Sequence, residues 1–412
     1  MQKDTLKIII VGHVDHGKST LIGRLLLDTN SLPKDRLSEI KKISKELGKD
    51  TELAFLTDQL KEERERNITI DTTQTFFKTR KRDYVIIDAP GHVEFLKNML
   101  TGATLAEAAV LITDVNEGVM EQTRRHAYLI NMLGIDKIIL VFNKMDIIDY
   151  NEAKFTEIKN KLLVFFESLG VRPSFIIPIS AKKGINITKR SPEISWYKGP
   201  ALLEALDSLI IDAKTEKKPL RLPVQDIYEI DGKKIMVGKI DSGTIKRGQK
   251  VILSPSSKKA VINSIVLFEK EKTSAQAGEN IGLLLKEGAV AERGEIIAEE
   301  ENSPEVSSLF RGNIFWMSDE PLQVNKPVTL RCATQEVRCV AEKIEKRINS
   351  STLEVLETNA KELKINEAGI VLFKTDEPIA IEKFSFIEEM GRFIIEQQYN
   401  LQGAGIITET TV

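Results

Sequence analysis

The sequence predicts an α/β domain, a mostly parallel sheet with helices on both faces, followed by two all-β barrel domains. Three observations lead there. Over residues 1–213, short apolar runs alternate with longer amphipathic stretches, as strands and helices do in a parallel sheet covered on both sides. Near Lys214 the texture changes. Thr215–Pro223 is charged and carries Pro219 and Pro223, as a linker does, and short β-rich runs with glycine turns follow it. A second break falls at Glu301–Pro304, with more strand-like runs beyond. The predicted domains are therefore 1–213, 220–301 and 305–412.

Within the first domain, Leu6–Val11, Tyr84–Ile87, Ala108–Thr113, Lys137–Phe142 and Ser174–Pro178 read as buried strands. Leu37, Ile40, Ile43 and Leu47 fall on one face of a helix, and residues 93–106, 121–133, 151–169 and 200–210 are also helix-like. In the first barrel the strands are Met236–Ile240, Lys250–Leu253, Ala260–Phe268 and Ile281–Leu285, with turns at Asp231–Gly232 and Arg247–Gly248. In the second they are Phe310–Met317, Pro327–Thr334, Glu336–Arg347, Gly369–Lys374 and Phe393–Glu396. No internal repeat is visible.

Composition narrows the function classes. The 412 residues are 42% hydrophobic and 29% charged, which excludes a disordered or collagen-like chain. No run approaches the roughly 18 apolar residues of a membrane span. Two cysteines cannot build a disulfide scaffold, so a reducing cytoplasm is the expected compartment. A net charge of -2 gives no overall basic footprint and argues against nucleic acid as the main partner. All four histidines (His13, His16, His92, His126) lie in the first third, so imidazole chemistry is expected there.

The strongest motif is Gly12-His13-Val14-Asp15-His16-Gly17-Lys18-Ser19, directly after the first strand. It fits G-x-x-x-x-G-K-[ST], in which glycines let backbone N–H groups wrap phosphates. Asp15, His16, Gly17, Lys18 and Ser19 are thus phosphate-loop candidates, with Lys18 charging the β- and γ-phosphates and Ser19 a ligand of Mg²⁺. Asp88, at the end of the second strand, can reach Mg²⁺ through water. Gly91 can present its N–H to a γ-phosphate, and His92 can position an attacking water. Asn143-Lys144-Met145-Asp146 ends the fourth strand. The Asp146 carboxylate can accept from guanine N1–H and the 2-amino group, two donors that adenine lacks. Ser180-Ala181-Lys182 can offer a backbone N–H to guanine O6. Thr69, in Arg66-Asn67-Ile68-Thr69-Ile70, can turn its hydroxyl to Mg²⁺. These elements lie beyond the carboxyl ends of the strands, where an open α/β sheet binds ligands. The reading is a GTPase with GTP or GDP and Mg²⁺ as cofactors.

With these motifs the chain resembles the translation-factor-type GTPases, the superfamily of elongation factor Tu, over nearly its whole length. The resemblance implies that Thr20 also touches phosphate, that Ser19 and Thr69 ligate Mg²⁺, and that His92 orients the water behind an apolar gate of Val14 and Ile68. Within the superfamily the chain looks closest to the GTPase subunit of bacterial sulfate adenylyltransferase. The similar segments include Leu21–Leu26, Glu63–Asp71 and Glu121–His126 and, in the barrels, Phe315–Leu322, Arg347–Glu354 and Gly403–Ile407. Three positions depart from that subunit. Asp15 is followed by His16, as in elongation factors, instead of a second aspartate. The switch reads Ala89-Pro90-Gly91-His92-Val93-Glu94-Phe95, and Asn67 stands where glycine is usual. On the barrel segments the expectation is a subunit coupling GTP hydrolysis to adenylylsulfate synthesis from ATP and sulfate. A separate adenylyltransferase subunit would be its partner, and tRNA and the ribosome would not. No second G-x-x-x-x-G-K-[ST] follows the barrels, so no kinase domain is expected there. The alternative is an elongation-factor-like carrier of aminoacyl-tRNA. No arginine in the motifs is placed as a finger in cis, so slow intrinsic hydrolysis and activation by a partner at Arg66–Ile70 and Gly91–Phe95 are expected.

The remaining candidates read as structural. Lys61–Arg66 is a solvated charge run. Cys332 and Cys339, an odd number of residues apart, are buried thiols that would face opposite ways along one strand. Trp196 and Trp316 are packing residues, Trp316 with the further option of an interface anchor. His126 is structural.

Overall fold

A run of isoleucines that is apolar at every position makes the centre of the first sheet. In a computed structural model describing residues 4–32, 74–88, 106–210, 214–230, 232–267 and 270–410, β1 (Thr5–Gly12) buries Ile8, Ile9 and Ile10 completely on its two faces. It is flanked by β3 (Asp83–Asp88) on one side and β4 (Ala108–Asp114) on the other, both parallel to it. β5 (Ile138–Asn143) and β6 (Phe175–Pro178) extend the sheet in parallel. β2 (Gln74–Lys78) adds an antiparallel edge. The order is β2-β3-β1-β4-β5-β6, so the connections leave in opposite directions between β1 and β4, which is where such sheets bind ligands.

Helices cover the sheet by their apolar stripes. α1 (Lys18–Asp28) buries Leu21, Ile22, Leu25 and Leu26. α2 (Glu121–Met132) buries His126, Ala127, Leu129 and Ile130. α3 (Glu152–Ser168) turns Phe155, Ile158, Leu162, Phe165 and Phe166 inward, and Asn151 caps it by accepting the Lys154 N–H at 3.0 Å. α4 (Leu202–Ser208) is held where Asp207 accepts from the Tyr84 hydroxyl at 2.6 Å and the Thr79 hydroxyl at 2.9 Å. The expected helices at 37–47 and 93–106 fall on residues outside the described set, apart from the last residue of the second. No helix among the described residues is long and apolar enough to cross a membrane.

The chain divides into two compact units, Met1–Ile211 and Asp212–Val412, and the second contains both barrels. The first barrel orders its strands Arg221–Pro223, Ile296–Glu299, Lys250–Ser254, Lys258–Leu267, Asn280–Leu285, Lys233–Lys239 and Asp226–Ile230. A bridge joins Arg221, in the first of these strands, to Ser242, just beyond Lys233–Lys239. The second barrel closes fully. Pro327–Cys332 pairs with Arg392–Gln397 on one side and Gln335–Asn349 on the other, and Asn400–Glu409, Glu305–Trp316 and Glu367–Ile381 complete the ring. Cys332 and Cys339 are both buried thiols. They do not face opposite ways, because a turn separates them. Cys332 pairs with Gln335, Cys339 pairs with Val328, and the register brings both thiols to one core. Burial pushes each up to about 12, so neither is a thiolate at neutral pH.

Candidate functional site

The loop from β1 to α1 is shaped by two glycines and a lysine. Gly12 ends β1 so close to β4 that a Cβ would lie 2.4 Å from the Ile112 carbonyl oxygen. Gly17 sits at φ 93°, where a Cβ would meet Asn143 Nδ2 at 2.3 Å. Any side chain at either position would force backbone or a buried amide to move. Lys18 starts α1, and its Nζ reaches back across the loop to donate to the carbonyls of Gly12 at 2.7 Å and His13 at 2.9 Å. Asp15 is exposed, with left-handed backbone at φ 62°. Ser19 and Thr20 follow in the first turn of α1, half-buried. That turn holds no acidic residue, so the positive end of the helix is left to an anion. Asp88 is half-buried at the end of β3, in register with Ile10, two residues before Gly12. A curled loop, a cation across it and a carboxylate at the next strand end fit a polyphosphate with Mg²⁺.

Asn143 joins this loop to the base-recognition motifs. Its Nδ2 donates to the His16 carbonyl at 2.9 Å, and its Oδ1 accepts the Ala181 N–H at 2.9 Å. Lys144 has left-handed backbone at φ 64°, and its Nζ is 2.7 Å from the buried Asp114 carboxylate. Asp146 is half-buried in the turn Met145–Ile148. Ser180 and Ala181 are fully buried while Lys182 is exposed, and the Ser180 N–H is spent on the Ile185 carbonyl at 3.3 Å. The fold therefore brings Lys18, Asn143, Lys144 and Ala181 into one hydrogen-bonded framework. Thr69, Gly91 and His92, with the segments Arg66–Ile70 and Gly91–Phe95, lie outside the described residues.

Two participants escaped the sequence reading. Asp114 is the last residue of β4 and Glu117 lies in the loop after it, where an acid gives no spacing signal of its own. Asp114 anchors Lys144, and Glu117 lies 3.2 Å from Nε2 of the buried His16. His126, read as structural from the sequence, lies on α2. It is completely enclosed, and burial first, then the charge of Lys18, pulls it down to about 3. It is a neutral imidazole beside the loop and packs there. Trp316 is likewise a packing residue. It is buried and its Nε1 donates to the Glu320 carbonyl at 2.7 Å, so it is no interface anchor.

Comparison with known proteins gives the family. Residues 3–212 match the family described as Elongation factor Tu GTP binding domain. Residues 234–298 match Elongation factor Tu domain 2, and 309–408 match GTP-eEF1A C-terminal domain-like. The Elongation factor 1-alpha of Metallosphaera sedula is 38% identical over 99% of this chain and 98% of its own. That of Picrophilus torridus is 40% identical over 98% and 97%, and that of Methanoregula boonei 37% over 98% and 97%.

These matches overturn the expected sulfate adenylyltransferase subunit, and with it the adenylyltransferase partner. Relatives along the whole chain, barrels included, are named Elongation factor 1-alpha. The buried positions of the barrel segments that suggested otherwise are structural. Trp316 is core, and a Cβ at Gly403 would lie 2.7 Å from its ring. Ser350 is buried with its hydroxyl donating to the Asn366 carbonyl at 2.6 Å, and Asn349 Oδ1 accepts the Ser351 N–H at 2.9 Å. Such positions keep a barrel closed whatever it docks against. On a G domain followed by two β-barrels, with relatives of this identity over its full length, the chain belongs to the elongation factor Tu and 1-alpha family of translation-factor GTPases.

Proposed function

We propose that the chain is a cytoplasmic elongation factor whose GTP-bound form carries aminoacyl-tRNA to the ribosome. The observation that carries this reading is the identity to proteins named Elongation factor 1-alpha across both barrels as well as the G domain. Three domains at 1–213, 220–301 and 305–412 go with it, each holding one of the three family matches.

The family's cofactors, GTP or GDP with Mg²⁺, assign the residues as follows. Asp15 to Thr20 form the phosphate loop, with the Lys18 ammonium placed against the β- and γ-phosphates. Ser19, Thr69 and Asp88 hold Mg²⁺, directly or through water, and the metal supplies charge neutralisation at the phosphates. Asp146 reads the guanine edge. Asn143 and Lys144 fix the walls of the base pocket, and Ser180, Ala181 and Lys182 line it. Of these three, the Lys182 N–H is the one without a partner among the described residues, which suits it to donate to guanine O6. His92 orients the hydrolytic water and the Gly91 N–H faces the γ-phosphate, both on the strength of their motif.

Two experiments test this. With GTP, the chain should protect the ester of aminoacyl-tRNA from hydrolysis, and programmed ribosomes should raise its slow GTPase rate by about 10³-fold or more, the scale of a transition-state element supplied in trans. Unprotected ester together with ribosome-independent hydrolysis would refute the carrier reading. Separately, Asp146→Asn should cost about 10-fold or more in GDP affinity, because the amide NH₂ meets the guanine donors. The same change should improve xanthosine diphosphate binding, since that NH₂ can donate to the xanthine carbonyl. Competition titration with the two nucleotides reads both, and equal GDP affinity in the variant would remove Asp146 from the base pocket.

A further inference from the structure

The loop after β4 is tied to the phosphate loop by an acid to which the motifs assign nothing. Glu117 is held in a tight turn. The Gly118 N–H donates to the Asp114 carbonyl at 2.9 Å, and the Asn116 N–H donates to Asp114 Oδ1 at 2.7 Å. The far side of that turn is fixed too, since Lys154 Nζ on α3 donates to Asn116 Oδ1 at 3.2 Å. The turn aims the Glu117 carboxylate, 41% exposed, at Nε2 of His16, which is 0% exposed. The distance is 3.2 Å.

His16 is itself part of the phosphate loop. Its carbonyl is the acceptor for Asn143 Nδ2, and the next residue is Gly17, pressed against the same amide. One residue thus has its imidazole gripped by the β4 loop and its peptide gripped by the base-recognition motif. Burial keeps the His16 imidazole below its ordinary range, with the Glu117 charge opposing. A neutral ring that donates Nε2–H to a carboxylate satisfies both conditions.

We infer that Glu117 is a positioning residue for nucleotide retention: by holding the His16 ring it fixes the His16–Gly17 peptide, and so the curl of the phosphate loop. Asp114 makes the parallel connection through Lys144. The turn 114–118 therefore braces both the phosphate and the base halves of the site. It also leads into α2, which begins at Glu121. A shift of that turn would loosen both halves together. This inference rests on the reading of Gly12–Ser19 as the phosphate loop.

The test is the dissociation rate of a fluorescent GDP analogue from the full chain, with thermal unfolding measured alongside. In Glu117→Ala the analogue should leave about 10-fold faster, the scale of one lost charge-assisted hydrogen bond to a buried group. In Glu117→Gln, whose amide oxygen still accepts from Nε2, the rate should stay within about threefold of wild type. The midpoint of unfolding should barely move in either, as for other half-exposed loop positions. In a His16→Ala background, Glu117→Ala should add nothing further. Glu117→Ala dissociating at the wild-type rate, Glu117→Gln as fast as Glu117→Ala, or a full Glu117→Ala effect without His16 would each overturn the inference while leaving the phosphate loop in place. A wild-type chain that does not retain the analogue at all would overturn the loop reading itself, and this inference with it.

Discussion

Lys18→Ala is expected to abolish tight nucleotide binding, with GDP and GTP affinities falling by about 10²–10³-fold. In the folded chain the Lys18 ammonium is not loose. It donates to the Gly12 and His13 carbonyls at 2.7 and 2.9 Å, so it both closes the loop and places a full charge at its mouth. Alanine removes two hydrogen bonds that shape the loop and the cation that would offset phosphate charge in a partly desolvated site. Charge-assisted hydrogen bonds contribute about 1.5–3 kcal/mol each, and tenfold in affinity is about 1.4 kcal/mol, which sets the expected range. Lys18→Arg should recover little, because a planar fork cannot reach two carbonyls six and five residues back through the same narrow crossing. Titration with a fluorescent GDP analogue measures the loss, and circular dichroism shows whether the variant chain is folded. A folded Lys18→Ala chain with unchanged GDP affinity would mean that this loop does not hold phosphates.

Much of the G domain could be read from residues because its signals are local. From Ile8 to Val11 β1 is continuously apolar and buried before it ends in Gly12, and a run of that kind lies inside a sheet covered on both faces. β2 was not legible. Of its five residues only Phe77 is buried, and Phe76 is 61% exposed, so it has too little alternation to register. The last barrel strand, Asn400–Glu409, escaped for a different reason. Its Gly403, Ala404 and Gly405 carry no apolar signal, because the space above them is taken by the rings of Trp316 and Phe393. At the site, the residues that touch through the chain's own motifs were legible, whereas His16–Glu117, separated by 101 positions, needs the sheet order before it exists. The choice of subfamily failed where packing was mistaken for function. Trp316, Ser350 and Gly403 answer to the barrel interior, while the Asp15–His16 pair, the departure that pointed to elongation factors, sits in the loop proposed to hold phosphate.

The second large effect is expected in the barrels, at Arg221. This guanidinium is completely buried. Its Nε donates to Glu382 Oε1 at 2.9 Å, and its Nη1 donates to the carbonyls of Leu220 and Asn302 at 2.8 Å each. Arg221 opens the first strand of the first barrel, and Glu382 directly follows a long strand of the second, so the pair joins the two barrels. A small apolar cluster of Ile296, Ala380, Ile387 and Met390 lies in the same unit. Burial pushes the Glu382 carboxyl up and Arg221 draws it back down, so desolvation and attraction are in direct opposition. Removing one partner leaves only the desolvation. Glu382→Ala should therefore destabilise the barrels by about 3–5 kcal/mol, since it strands a buried cation. Replacing both partners, as in Arg221→Met with Glu382→Leu, should recover most of that loss, because a buried pair and an apolar substitute of similar volume are often close in stability. Urea unfolding of the full chain, followed through Trp316 in the second barrel, separates the cases by the shift of its midpoint. A Glu382→Ala loss below about 1 kcal/mol, the range of exposed pairs, would show that the pair is solvated and that the barrels are held by their apolar contact alone.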